Sequence, residues 1–239
     1  MTLRLHFRLV LLCCVLAGVG VALAAGQEPT PGWNTPWRNT DGSLKLALEL
    51  GGGYNATVGG IRASQQSGWN VRLGGGYRVN RRYAALLEYN YDRFGIPQAV
   101  VATYPVVLQQ SIPANAGSVH LWSFTLEPTV QYFSTEHYGG YFIGGGGFYR
   151  KVVEFSFSCP VGENCGLTPS DTTNLFSNNA GGVNIGTGLA WRVWDTSNTK
   201  FFFEVRYVWV DNTPSPHNSV FPSANERTSY VPVTAGLRW

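Results

Sequence analysis

Residues 229–239 read Ser229-Tyr230-Val231-Pro232-Val233-Thr234-Ala235-Gly236-Leu237-Arg238-Trp239. Val231, Val233, Ala235, Leu237 and Trp239 fall on one face; Pro232, Thr234, Gly236 and Arg238 fall on the other. A repeat of two residues belongs to a β-strand, whose successive side chains point to opposite faces. Here an apolar row backs a row of small, polar and charged residues. The question the rest of the chain must answer is which row is the inside.

Seven earlier stretches repeat the pattern. They cover about 44–56, 68–79, 82–93, 118–133, 138–157, 178–194 and 200–210. In 44–56, Leu44, Leu46, Leu48, Leu50 and Tyr54 oppose Lys45, Ala47, Glu49 and Gly51. In 200–210, Phe201, Phe203, Val205, Tyr207 and Trp209 oppose Glu204 and Arg206. The register of 138–157 is the least determined, because Gly144–Gly147 leaves room for a bulge. Pro128 must interrupt one ladder bond or mark a bulge. The stretches are joined by connections that alternate long and short: about 57–67, 95–117, 158–177 and 211–228 against 80–81, 134–137 and 195–199. A β-prone run from Ala99 to Leu108 leads us to expect a small hairpin within the second long loop.

Glycine occupies 29 of 239 positions, well above a usual share of about 7%. Aromatics reach 14%, while charged residues supply 13%, roughly half the share of a soluble domain. The net charge is +3, and Arg4 and Arg8 carry two of those charges, so nothing implies a nucleic-acid partner. Those two arginines precede an apolar run, Leu9 to Leu23, and a small-x-small site, Ala22-Leu23-Ala24. Residues 1–24 therefore read as a secretory signal, with a retained anchor as the alternative. Residues 25–43, rich in proline and turn formers, read as a flexible N-terminal arm, and 44–239 as the folded domain.

An all-β, eight-stranded antiparallel up-and-down transmembrane barrel accounts for these features together. Even strand number and alternating loop lengths place all long loops at one end. Closure removes the sheet edge that a bilayer could not satisfy. The row opposite the apolar one collects Lys45, Glu49, Arg72, Arg78, Glu88, Glu127, Arg192, Glu204, Arg206 and Arg238. A soluble core would fill that row with branched apolar residues. Buried charges persist only when paired, and the mixed signs permit pairing in a lumen.

The chain resembles the small eight-stranded outer-membrane barrels of the OmpA-like or OmpX-like kind. The leader, the eight alternating strands, the loop rhythm and the terminal Tyr230–Trp239 strand carry the resemblance. It implies a Gram-negative-type outer membrane, outer-membrane lipid as surroundings, and long loops facing an extracellular ligand or protein. It also implies that the outer-membrane assembly machinery reads Val233, Ala235, Leu237 and Trp239. Trp in place of the usual final Phe, and Pro232 within the strand, depart from the family pattern.

Cys159 and Cys165 sit in a long loop of an oxidising compartment, so a disulfide is expected, with two free thiols as the alternative. No histidine near them completes a metal site, and no cofactor is expected. The glycine runs 51–53, 74–76 and 144–147 lack the Gly-Lys-Ser/Thr ending of a phosphate loop and read as thinning of the wall. His120, His137 and His217 fall in separate places and assemble no Ser/His/Asp set, which points away from an enzyme. Function reads as a structural or surface-interaction role in the envelope with a plugged lumen. A narrow pore and a lipid-modifying barrel enzyme are the alternatives; the enzyme needs a Ser or Asp within hydrogen-bond reach of a rim histidine.

Overall fold

The computed structural model describes residues 37–39, 43–101, 114–157, 172–193, 198–212 and 227–239. Eight strands follow one another in chain order: β1 Leu46–Thr57, β2 Gly68–Arg78, β3 Tyr83–Gly95, β4 Ala114–Ser134, β5 Tyr138–Phe157, β6 Thr172–Arg192, β7 Lys200–Val210 and β8 Thr228–Arg238. Each pairs antiparallel with its neighbour in sequence, and β8 returns to pair with β1, closing the barrel. The closing register sets Glu49 against Arg238 and Tyr54 against Val233.

The face assignment follows the sequence pattern, inside out. Ile185 and Leu87 stand outward at 68% and 60% exposure, while Glu88 and Glu204 are at 0% and 1%. On β4 the outward row from Trp122 to Tyr132 holds Phe124, Leu126, Pro128 and Val130. Eleven tilted residues of this kind span roughly the 25 Å apolar band of a transmembrane barrel. Trp69, Tyr207 and Trp209 stand on the outer wall towards the long loops, and Tyr83, Tyr132 and Tyr138 towards the short turns. Such a wall would be insoluble and such a lumen unstable in the opposite arrangement. The molecule is a transmembrane barrel.

Two prolines are accommodated by register. The β4–β5 ladder has no paired residue at Pro128, and the β7–β8 ladder has none at Pro232, so each missing N–H falls where a ladder bond is skipped. Three expectations are corrected. First, β4 and β6 begin at Ala114 and Thr172, earlier than 118 and 178. Neither 114–117, Ala-Asn-Ala-Gly, nor 172–177, Thr-Thr-Asn-Leu-Phe-Ser, alternates large apolar with polar residues, so periodicity does not mark these extensions. Secondly, the room for a bulge at Gly144–Gly147 is not used; the slips lie at Ala114/Ala116, Gln131/Phe133 and Val153/Glu154. Thirdly, residues 98–101 form one helical turn, α1 Gln98–Val101, whose Val100 and Val101 N–H groups donate to the Pro97 carbonyl. The rest of the expected hairpin, 102–108, lies outside the described residues.

Strand β5 turns its apolar row inward: Tyr141, Ile143, Tyr149, Val153 and Phe155 are buried in the lumen, as is Lys151. Tyr149, Val153 and Phe155 join Phe94, Val119, Leu121, Val208, Val210 and Tyr230 in an apolar cluster towards the long loops. Tyr141, Ile143, Ala190 and Phe202 form a smaller one nearer the turns. Between them lies the charge.

Candidate functional site

Six strands deliver the charged middle of the lumen by alternation alone, β4 through Glu127. Glu204 and Arg206 are successive inward positions of β7, Arg72 and Glu88 face inward from β2 and β3, and Glu49 and Arg238 close the β1–β8 seam. Arg206 is the hub. Its Nη1 and Nη2 donate to Glu88 Oε2 and Oε1 at 2.8 and 2.9 Å, a two-pronged grip across the lumen. Its Nε donates to Glu204, and Nη1 lies 3.6 Å from Glu127 Oε1. Arg72 donates to Glu204 through Nη1 and to Asn90 Oδ1 through Nε at 2.8 Å, with Glu88 3.5 Å away. Arg238 Nε donates to Glu49 Oε2 at 2.9 Å, and its guanidinium lies 4.3 Å from the Tyr141 ring centroid. Tyr141 in turn donates to Glu204 Oε2 at 2.9 Å.

Glu49, Glu88, Glu127 and Glu204 thus share Arg72, Arg206 and Arg238, all of them buried. Room for this comes from the missing side chains. A Cβ on Gly74 would sit 2.8 Å from Glu49 Cγ and 3.2 Å from Glu88 Cγ. The space left among Arg72, Asp92, Tyr149, Asn184 and Arg206 is about 10 Å³. That is the volume at which one water fits.

Lys45, Arg78 and Arg192, the other three charges expected in the lumen, stand apart at the turn end. Arg78 Nη1 and Nη2 donate to the carbonyls of Leu44 and Trp239 at 3.5 and 3.4 Å. Arg192 lies opposite Lys200 in the β6–β7 ladder, and Lys45 takes backbone bonds with Trp37 and Arg78. Two buried charges were not singled out from sequence. Asp92 accepts from Asn55 Nδ2 and from the Tyr230 hydroxyl, each at 2.8 Å. Lys151 donates to Thr228 at 3.2 Å. The signal for both was their place on an inward row; for Lys151 it was masked by the apolar residues around it. Val233, Ala235 and Leu237 line the outer face of β8, and Trp239 exchanges backbone bonds with Leu48. Cys159, Cys165 and His217 lie outside the described residues.

No family model matches the sequence, and no curated protein matches it. Among solved structures, the chain is similar to the crystal structure of Neisserial surface protein A, at 13% identity and TM-score 0.48, covering 81% of this chain and 96% of that one. It is also similar to Ail, the attachment invasion locus protein of Yersinia pestis, at 15% identity and TM-score 0.40, covering 82% of this chain and all of that one.

Proposed function

We propose that the protein is an outer-membrane barrel of a Gram-negative-type bacterium whose lumen is sealed and whose work is done by its long loops at the cell surface. The observation that carries this reading is the packing of the lumen: the arginine–glutamate lattice is capped on both sides by apolar clusters. An eight-stranded barrel has an interior that side chains fill. A conduit would have to break the Arg206–Glu88 grip and part the Tyr230–Phe94 cluster at once. Loops held on such a scaffold are free to vary and to carry recognition.

The reading includes a leader, residues 1–24, that is removed on export, an N-terminal arm, and a disulfide between Cys159 and Cys165 in the third long loop. It also includes recognition of Val233, Ala235, Leu237 and Trp239 by the assembly machinery. Planar-bilayer recording of the folded, leaderless protein tests the seal. The expected result is a flat baseline; steady unitary channels would overturn it in favour of a narrow pore.

A further inference from the structure

On the outer wall, where the apolar band gives way to the long-loop end, polar side chains from three adjacent strands meet. His120 projects outward from β4, directly opposite Arg93 of β3 and Val152 of β5. Its Nδ1 lies 2.5 Å from the Tyr91 hydroxyl. Its Nε2 lies 2.8 Å from Glu154 Oε2 and 3.1 Å from Ser118 Oγ. A carboxylate only accepts, so Nε2 carries a ring proton, and in the neutral ring Nδ1 keeps the lone pair that receives the Tyr91 O–H. The order is hydroxyl, imidazole, carboxylate, each on its own nitrogen. That is the arrangement by which a hydroxyl is activated for acyl transfer.

Two further observations bear on the site. The β5–β6 ladder slips by one residue between Val153 and Glu154, and such slips re-aim side chains beside functional sites. The height on the wall is also specific. Below the cluster the outer face is Tyr89, Leu87, Phe124, Leu126 and Phe148; at its level stand Trp122, the ladder partner of Tyr91, and the outward charges Arg93 and Arg150, with Arg150 6.0 Å from the Trp122 ring centroid. A lipid with its chains on that apolar wall would bring its ester and phosphate groups to this height, beside Arg93 and Arg150.

We propose that Tyr91, His120 and Glu154 hydrolyse an acyl ester of a phosphate-bearing membrane lipid at the outer rim. The Tyr91 oxygen attacks the ester carbonyl as its proton passes to Nδ1. The carbon–oxygen bond to the lipid alcohol breaks, and that oxygen takes the proton from Nδ1. Water then attacks the acyl-tyrosine, giving its proton to Nδ1, and the fatty acid leaves as Tyr91 recovers its own. Glu154 holds the imidazolium formed in each half, and Ser118 positions the ring from the Nε2 side. The site lies on the outer wall, so it stands or falls independently of the sealed lumen.

The test uses the folded full-length mature chain in micelles with 4-nitrophenyl decanoate, and in phosphatidylglycerol vesicles with a labelled acyl chain. Fatty acid release is expected, falling by about a hundredfold or more in Tyr91→Phe and His120→Gln, the range a positioned acid–base group contributes. Ser118→Ala should stay within about tenfold of the parent, as a positioning role requires, and mass spectrometry of the quenched parent should find an acyl group on Tyr91. These substitutions sit on the outer wall, and the heat-dependent gel shift of each folded barrel checks that it has formed. No release above the Tyr91→Phe background, or activity that survives in Tyr91→Phe and is lost in Ser118→Ala, would overturn the proposal.

Discussion

Glu49 on the first strand and Arg238 on the last are ladder partners across the seam that closes the barrel, and Arg238 clasps the Glu49 carboxylate through both Nε and Nη2. The bond joins positions 189 residues apart and ties the last strand to the first. It also hands Glu49 on to Arg206, 4.0 Å away, so the seam and the central lattice are one network. Removing either partner leaves the other charge buried, while removing both leaves neither. Glu49→Gln and Arg238→Gln should each destabilise the barrel, and the double variant should lose less than their sum. The coupling should fall within about 0.5–3 kcal/mol, read from urea unfolding midpoints in a double-mutant cycle.

Arg206 serves four carboxylates, two of them at hydrogen-bonding distance. Arg206→Met keeps the bulk and strands Glu88 and Glu204. Breaking a buried pair costs about 3–5 kcal/mol, so the unfolding midpoint should drop more than for any single outward substitution to alanine. Arg206→Lys should recover part of the loss, since an ammonium keeps the charge and gives up the fork.

Neighbouring glycines on β2 should respond oppositely. A Cβ at Gly74 collides with Glu49 and Glu88, whereas one at Gly75 on the outer face meets Leu48 at an ordinary 3.6 Å. Gly74→Val should cost about 1–3 kcal/mol by overpacking. Gly75→Val should lie within about 0.5 kcal/mol of the parent. Folded fractions in a denaturant series distinguish the two.

Leu126 faces outward at 58% exposure near the middle of the apolar band. Leu126→Arg should reduce folding into bilayers by about 2–4 kcal/mol, the cost of a lipid-facing arginine at mid-depth. Thr187→Arg, closer to the turn end, should cost less. Vesicle refolding titrations give both values.

The exported protein should lack residues 1–24, and with them Cys13 and Cys14. Intact mass should then be lower by two hydrogens than the reduced form, and non-reducing alkylation should label no cysteine. Alkylation of both Cys159 and Cys165 without reductant would remove the disulfide.

Much of this was written in the period of the sequence. Within the apolar band one face of each strand meets lipid and the other the lumen, so Leu46, Leu48 and Leu50 on β1 and Phe203, Val205 and Tyr207 on β7 declare the outside directly. Alternation is silent where both faces are apolar, which is why the inward turn of Tyr141 and Tyr149 on β5 had to come from pairing with β4. It is silent again where β4 begins Ala-Asn-Ala-Gly and β6 begins Thr-Thr-Asn-Leu-Phe, since neither stretch alternates large apolar with polar residues. Nor does it name partners across the lumen: Arg206 and Glu88 are 118 residues apart, and only closure brings them together. The outer cluster was hidden for the same reason, since Tyr91 stands 29 residues from His120 and on another strand.

The most direct test of the inside-out barrel is the accessibility of a spin label placed at Leu87, Leu126 and Val205 on the outer wall and at Thr125 in the lumen, in a bilayer. The first three should relax strongly with oxygen, which concentrates in lipid, and weakly with a water-soluble nickel chelate; the label at Thr125 should respond weakly to both. Ready access of the nickel chelate to Leu87, Leu126 and Val205 would put that face in water and contradict the membrane-spanning barrel.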